Sequence, residues 1–409
     1  MSKNLNILVI SYYFPPYQKV GGRRWAKHCK YLNRSGISTF VLAGAFPNSN
    51  SSWDKDVVEY EKFVTRITIP EVKTPYYKEK LPVTIFQKTL WKLSLWKSVL
   101  KNRYSKKQYK ISENTAQLFL NAAIEIIEKQ SINTIILSIG PHKYSEVLIL
   151  LKDRYPTIKY VLDERDDWKG DFIDTLKPDE QILETAFQKK VISQVDLIMT
   201  PAMELKRRYE SSFTKEVYLL PHCVDLEDIP PYKPFGSASI VKLIYGGAFY
   251  KKIENSINLI KKCIDQLSLN KKVAVEFYVS VKGYEKELEH PFIKRYGFID
   301  SQEYFLKVQE SNYVILILPP SRAYAMSSKF FELVALRKPI LYFGDKGEVS
   351  EYLIENRLGY HVTSENLNEI TDEILKNIVS ESIPDKSYDI SSHTFEYQTK
   401  LLVTKIKSL

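Results

Sequence analysis

The chain has 409 residues, 44% of them hydrophobic and 26% charged, and a formal net charge of +10. That length suits two domains of roughly 150–220 residues, and no apolar run approaches the ~20 residues that a membrane-spanning helix needs. Three widely separated cysteines, Cys29, Cys223 and Cys263, argue against a disulfide framework or a zinc knuckle and fit a reducing cytoplasm.

The first residues run directly into an apolar stretch, so no signal peptide is expected. Leu5 to Ile10 reads as a buried parallel strand followed by Ser-Tyr-Tyr-Phe-Pro-Pro. It feeds a loop through Gly21 and Gly22, then a helix over about Arg23 to Asn33 with Trp25, Ala26, Cys29 and Leu32 on its apolar side. Gly36 is the expected C-cap and Ile37 to Leu42 the second strand, which makes a right-handed βαβ unit. Gly21 and Gly22 either allow a ligand to approach the backbone or form a plain turn. The G-x-G-x-x-G fingerprint is absent, which counts against a dinucleotide enzyme. Residues 44–72 read as a Ser/Asn-rich loop and then a β-like run, Phe63 to Ile69.

Between Lys73 and Lys110 stand eleven Lys or Arg and one acid, Glu79, a net of +10 that equals the charge of the whole chain. This segment seeks a negative partner and the bulk of the chain does not. Within it, Phe86, Leu90, Leu93, Trp96 and Leu100 share one helical face, with Trp91, Leu95 and Val99 roughly opposite. Two tryptophans among lysines suit a peripheral contact of residues 83–110 with an anionic membrane. The competing reading is a helix packed on its own domain. Nucleic acid has no supporting motif.

Gln117 to Lys129 is a helix, and Asn133 to Ser138 a strand whose C-terminal loop, Ile139-Gly-Pro-His142, carries His142. Ligands of parallel sheets gather outside the carboxyl ends of strands, so His142 is either a site residue or a solvated loop histidine. A helix then runs to about Arg154. The strand Tyr160 to Leu162 ends in Asp163-Glu-Arg-Asp-Asp-Trp168. This acidic cluster lacks a clear Asp-x-Asp pair and has Arg165 in its middle, which favours a lattice of ion pairs over a metal. Glu184 to Ser193 is a helix, and Leu197 to Thr200 and Val217 to Leu220 are strands. The second half restarts the pattern. Val241 to Tyr245 is a strand ending in Gly246-Gly247; Lys251 and Lys252 precede a helix from about Asn255 to Leu267. Further strands are expected up to Val279 and over Tyr313 to Leu318, with short helices at Tyr304 to Gln309 and after Gly347, and a helical tail from Thr394 to Ile406.

In Ser327-Ser328-Lys329-Phe330-Phe331-Glu332-Leu333-Val334-Ala335-Leu336-Arg337-Lys338-Pro339, Ser328 has the chemistry of a helix N-cap. The helix it starts cannot pass Pro339, and Pro339 to Phe343 reads as a buried strand. Ser328 and Glu332 would stack on one face. Amides at such a helix start attract phosphate, and a carboxylate one turn in can accept two ribose hydroxyls. The bland alternative is an ordinary αβ connection with an exposed glutamate.

This stretch resembles the donor-binding segment of GT-B glycosyltransferases of the retaining "group 1" or family 4 class, through Ser327, Lys329, Glu332, Ala335, Lys338 and Pro339. The start, Tyr-Tyr-Phe-Pro-Pro followed by Gly21-Gly22, and the pair Gly-Pro-His142 and Asp-x-Arg165-Asp166-x-Trp168 resemble a subgroup of the same family. Tyr324 stands where many members carry a second glutamate, and His222-Cys223 replaces an Asn-Gly. The resemblance implies an α/β GT-B fold of two Rossmann-like domains facing across a cleft. The expected boundaries are an acceptor-side domain over 1–222, a linker over 223–238, a nucleotide-sugar domain over 239–385, and a tail over 386–409 that crosses back.

It further implies retaining transfer of a sugar, hexosyl or N-acetylhexosaminyl, from a UDP- or GDP-type donor to a hydroxyl acceptor. The setting would be polysaccharide assembly on a lipid-linked glycan, in the cytoplasm or on the inner membrane face. By the same resemblance His142, Arg165 and Asp166 are catalytic. Gly247, Lys251 or Lys252, Ser327, Ser328, Lys329 and Glu332 bind the donor, Gly21 and Gly22 line the cleft, and no metal or other cofactor is expected. A GT-B-type sugar-nucleotide epimerase and a non-catalytic scaffold are the alternatives.

Overall fold

The computed structural model describes residues 4–17, 20–45, 52–69, 115–234, 239–249, 252–279, 286–380 and 384–409, together with Phe86, Thr89 and Leu93. By compactness the chain divides into two units, Met1–Ile198 and Met199–Leu409. The basic segment 83–110 lies outside the described residues apart from those three positions, of which Phe86 and Leu93 are exposed.

The chain begins with β1 (Asn6–Ser11), α1 (Val20–Arg34), β2 (Ser38–Ala45) and β3 (Val64–Thr68), then α2 (Thr115–Gln130) and β4 (Thr134–Ser138). It continues through α3 (Glu146–Arg154), β5 (Lys159–Asp163), α4 (Pro178–Ser193), β6 (Leu197–Thr200), α5 (Met203–Ser212) and β7 (Val217–Leu219). The seven strands form one sheet in the order β3-β2-β1-β4-β5-β6-β7. Its centre is parallel, with Leu8 opposite both Phe40 and Ile135. Ile7, Leu8, Val9 and Ile10 are all fully buried, as expected for a strand covered on both faces.

α1 departs from the expected helix in two ways. It begins at Val20, so Gly21 and Gly22 lie in its first turn and not in a loop. The reason is steric: a side chain at Gly22 would sit 2.3 Å from the Tyr13 carbonyl oxygen, so only glycine lets the helix start this close to the β1 loop. α1 is also buried on its polar side. Arg23 Nε and Lys27 Nζ lie 2.8 and 2.7 Å from the buried Asp56 carboxylate. The Tyr60 hydroxyl donates to the Ala26 carbonyl. Two 3-10 turns, Ser52–Asp56 and Val58–Phe63, supply those groups from a stretch that composition alone reads as loop. Gly36 takes the left-handed conformation at φ +75° as the C-cap residue.

The second sheet holds β8 (Ile240–Gly247), β9 (Lys272–Val279), β10 (Ile293–Tyr296), β11 (Tyr313–Ile317), β12 (Ile340–Phe343) and β13 (Gly359–His361), in the order β10-β9-β8-β11-β12-β13. Every pairing in it is parallel. The helices of this half are α6 (Glu254–Ser268), α7 (Ser301–Gln309), α8 (Phe330–Ala335), α9 (Glu348–Glu355), α10 (Leu367–Ser380) and α11 (Phe395–Lys407). The period of two along each strand divides the core into two layers. Val241, Leu243, Tyr313 and Ile315 pack with Ile260, Ile264 and Leu267 of α6 and Ile374 of α10. Ile244, Val314 and Leu316 pack with Phe305 and Val308 of α7, Phe330 and Leu333 of α8 and Leu353 of α9. Helices on both faces of a parallel sheet are the doubly wound arrangement. Among the described residues no helix is long and apolar enough to cross a membrane.

Gly22→Ala sets helix propensity against a clash. Alanine gains up to about 1 kcal/mol over glycine in a helix interior, whereas overpacking against rigid backbone costs typically 1–3 kcal/mol. A net loss of about 1–2 kcal/mol is expected in chemical denaturation of the purified chain. A more stable variant would mean that the β1 loop yields and that the glycine is not required there.

Candidate functional site

In an open parallel sheet the crevice for a ligand lies where the strand order reverses, at the carboxyl ends of the two strands flanking the break. In the first sheet those strands are β1 and β4, and in the second β8 and β11. Each break carries a cluster of polar side chains on the loops that follow.

At the first break the anchor is Asp163, the last residue of β5, whose side chain is fully buried. Trp25 Nε1 of α1 donates to its Oδ2 at 2.7 Å. Arg24 Nη2 and Arg165 Nε approach the same carboxylate at 3.8 and 4.0 Å. Arg165 also donates through Nη2 to the Ile139 carbonyl in the loop after β4. Its guanidinium occupies the space a Gly21 side chain would need, with Nη1 only 1.4 Å from that Cβ position. Gly21 is therefore explained by the packing of Arg165 beside α1.

His142 begins a 3-10 turn, His142–Ser145, directly after the β4 loop. Its ring stacks on Trp168 at 4.5 Å and on Phe172 at 5.2 Å. Trp168 is itself fixed by donating Nε1–H to Glu184 of α4 and by an edge contact with Phe187. Burial is the main reason the His142 pKa falls to about 4, so the ring is neutral at pH 7. Glu164 follows Asp163 and is also fully buried. Its Oε1 lies 3.7 Å from His142 Nε2, and neither carboxyl oxygen has a hydrogen-bond partner. Burial pushes this carboxyl well above the usual glutamate range. Asp166 is half-buried on the same loop, while Asp167 turns away and caps the Lys169 N–H. The run Asp163 to Asp167 thus disperses into separate contacts, and no cluster of three or more metal-ligating side chains occurs among the described residues.

At the second break β8 ends in Gly246-Gly247. Lys329 donates through Nζ to the Gly246 carbonyl at 2.9 Å, and that ammonium lies 2.4 Å from where a Gly247 Cβ would sit. Gly247 has φ +148°, which favours glycine independently. Gly246 faces the Tyr304 ring, 2.3 Å from its own Cβ position, so both glycines make room for neighbouring side chains. Glu332 of α8 is half-buried and near enough to both Lys329 and Tyr304 to act on their protonation. Burial lowers the Lys329 pKa, and Glu332 opposes that shift. Lys252 is exposed, with φ +64°, just before α6; Lys251 lies outside the described residues.

The start of α8 corrects the expected one. The helix begins at Phe330 with Lys329 as its N-cap residue and no side-chain cap. The serine that acts is Ser327, whose Oγ accepts from the Lys329 N–H. Ser328 and Lys329 form a turn before the helix, so Ser328 and Glu332 do not share a helical face. Lys338 is buried and donates to the Lys233 carbonyl, a structural contact. Tyr324 lies under the Arg208 guanidinium at 5.0 Å. Sequence reasoning passed over Glu164, Trp25 as a polar partner, and Tyr304. Of these only Glu164 left a signal, its place at the carboxyl end of a buried strand.

No family model matches the sequence, and no curated protein matches it. Solved structures do match over nearly the whole chain. Sucrose-phosphate synthase from Thermosynechococcus elongatus covers 98% of this chain and 94% of its own, at 11% identity and a TM-score of 0.60. UDP-N-acetylglucosamine 2-epimerase from Neisseria meningitidis, bound to UDP-GlcNAc, covers 99% and 100% at 11% identity and a TM-score of 0.56. The catalytic domain of starch synthase IV from Arabidopsis thaliana, bound to ADP and acarbose, covers 100% of both chains at 12% identity and a TM-score of 0.56. The fold is therefore GT-B, two Rossmann-like sheets, as the sequence resemblance implied.

The titration of His142 and His393 gives the stability a pH dependence of known sign. Burial lowers both to about 4. Between about 4 and the unfolded value of ~6.5, the unfolded chain binds protons that the folded chain does not. Stability therefore rises with pH across that window and is lost as pH falls through it, by up to about 3 kcal/mol for His142 and by less for the more exposed His393. Glu164 acts in the opposite direction, since its raised pKa favours the folded state at low pH. His142→Phe keeps a ring against Trp168 and Phe172 and removes one titration. Urea midpoints at pH 4.5 and 7 should converge in the variant; an unchanged difference would place the wild-type imidazole in water-like surroundings.

Proposed function

We propose that this chain is a retaining glycosyltransferase that moves a hexosyl or N-acetylhexosaminyl group from a UDP- or GDP-sugar to a hydroxyl acceptor. The observation that carries the reading is the convergence of Lys329, Glu332 and the Gly246-Gly247 turn at the break between β8 and β11. A buried ammonium at the carboxyl end of a parallel strand suits a diphosphate, and a carboxylate near the same lysine suits the two hydroxyls of a ribose. α8 is only six residues long, so its dipole is a minor contribution and the lysine supplies most of the positive charge.

In this reading the anomeric centre becomes oxocarbenium-like as the diphosphate departs, and Lys329 with Lys252 or Lys251 offsets the charge that develops on it. No metal is assigned to the site. His142, held neutral between aromatic rings, contacts a sugar through its edge, with Asp166 and Arg165 shaping the same loop. The acceptor is a glycan on a lipid carrier, which would bring the basic segment 83–110 to an anionic membrane surface and keep the enzyme cytoplasmic. A sugar-nucleotide 2-epimerase is the second reading, because epimerases stand among the structures this chain is similar to. Release of free UDP without transfer to an acceptor would favour it.

Glu332→Ala should fold normally and bind UDP or GDP more weakly. Losing hydrogen bonds to a charged acceptor costs about 1.5–3 kcal/mol, roughly a 10- to 150-fold loss of affinity. Calorimetric titration of nucleotide into both proteins decides the point, and equal affinities remove the ribose role.

The membrane contact is tested by co-sedimentation with anionic and neutral vesicles at low and high salt. Each lysine near an anionic leaflet contributes about 1 kcal/mol, and the attraction should fade as the Debye length shrinks to about 3 Å at 1 M salt. Replacing Lys88, Lys92, Lys97 and Lys101 by Gln should abolish sedimentation with anionic vesicles and spare activity on a soluble acceptor. If the wild type ignores anionic vesicles at low salt, the segment belongs to the fold.

A further inference from the structure

Glu164 is a carboxyl group enclosed by protein with nothing to bond to. Its residue is fully buried, and both oxygens lack a hydrogen-bond donor. Buried polar groups in folded proteins are almost always paired, and an ionised carboxylate without water, donor or close cation is strongly disfavoured. The charges beside it do not relieve this. Asp163, Asp166 and Asp167 carry the same sign, while Arg165 is directed to Asp163 and the Ile139 carbonyl. Glu164 therefore carries a proton. An acceptor, His142 Nε2, lies 3.7 Å from Oε1.

His142 is incomplete in a complementary way. Among the described residues neither ring nitrogen has a hydrogen-bond partner, although aromatic rings stack on the imidazole and its side chain retains 16% exposure. The other charged groups that act on the ring are Glu184 on α4 and Asp166, Asp171 and Arg165 around the β5 loop. None of them bonds to it.

We propose that Glu164 is a positioning residue for His142: its carboxylic acid donates to Nε2 and fixes the neutral imidazole as the tautomer that carries its proton on Nδ1. That N–H is then a committed donor, directed to a hydroxyl or carbonyl oxygen of a sugar ligand. No proton is transferred; a side-chain adjustment closes the contact from 3.7 Å to the about 2.8 Å of an O–H···N bond, with no ligand required. Only the identity of the oxygen that Nδ1–H meets rests on the glycosyltransfer reading.

The test is the ¹⁵N resonances of the histidine side chains in the full chain, with His142→Ala assigning the signal. The wild type should show His142 with the proton on Nδ1 and no titration between pH 8 and 5. Glu164→Gln, whose amide can also donate to Nε2, should keep that tautomer. Glu164→Leu should shift the ring toward the Nε2–H form or a mixture. Because it removes an unpaired buried polar group, Glu164→Leu should melt at the same temperature as the wild type or higher. In a transfer assay Glu164→Leu should lower kcat at least 10-fold with nucleotide affinity unchanged, and Glu164→Gln should recover most of the loss. An Nε2–H tautomer in the wild type overturns the proposal without any variant, and so do wild-type resonances in Glu164→Leu. The resonance and melting measurements need neither donor nor acceptor. A chain that binds no nucleotide would defeat the glycosyltransfer reading and leave the tautomer result standing, and the reverse also holds.

Discussion

The first half of the molecule depends on how the Asp163 carboxylate is accommodated inside protein. Burying a lone carboxylate costs several kcal/mol unless donors and cations replace its water. Trp25 Nε1–H, Arg24 and Arg165 surround it, two of them from α1 and one from its own loop. This fixes the distance between α1 and the end of β5. It also dictates that Arg165 lies flat beside α1, which explains Gly21 and holds the Ile139 carbonyl of the His142 loop. With Asp163 committed toward α1, the next residue, Glu164, is directed the other way, to His142. A structural ion-pair lattice and the Glu164–His142 contact thus follow from adjacent positions on one strand end.

The second half reaches a similar result with different chemistry. Here the strand break is filled by a lysine and a tyrosine that need glycine opposite them, and the charge stands on a turn before a single-turn helix. Lys329 donates to the Gly246 carbonyl as Arg165 donates to that of Ile139, so each break holds a cation against a main-chain carbonyl.

Much of this was legible in the sequence because buried parallel strands are nearly continuous apolar runs. β1, β4, β5, β11 and β12 lie where Leu5–Ile10, Asn133–Ser138, Tyr160–Leu162, Tyr313–Leu318 and Pro339–Phe343 suggest. What failed was weakly patterned or long-range. β10 exposes most of its four residues, so it has no apolar signature. α5 buries only Leu205 and Tyr209, too few to declare a helical stripe. At α8 the expected cap is Ser328, but it is the Ser327 hydroxyl that reaches the Lys329 N–H. The meeting of Gly21 with Arg165 spans most of the first sheet in sequence, and no local pattern encodes it.

His142 and His393 show why a shifted histidine does not by itself mark a site. Burial lowers both to about 4. His393 stacks on Phe331 at 3.9 Å, bonds through Nε2 to the Tyr352 hydroxyl at 2.8 Å, and has its Nδ1 shut inside the protein. It has no nitrogen to offer a ligand, and its role is to pack the segment before α11 against α8. His142 has the same protonation state but no hydrogen-bonded nitrogen within the described residues, and it faces a carboxyl group that is equally unpaired. Leaving a buried carboxyl unbonded costs about 1–3 kcal/mol, an amount a domain gains back by substitution with a hydrocarbon of similar size. The fold gives Asp163 Oδ2 a donor one residue earlier, yet leaves Glu164 and His142 both incomplete at one place. That place is the carboxyl end of the strands beside the break in strand order, where ligands of this sheet type gather.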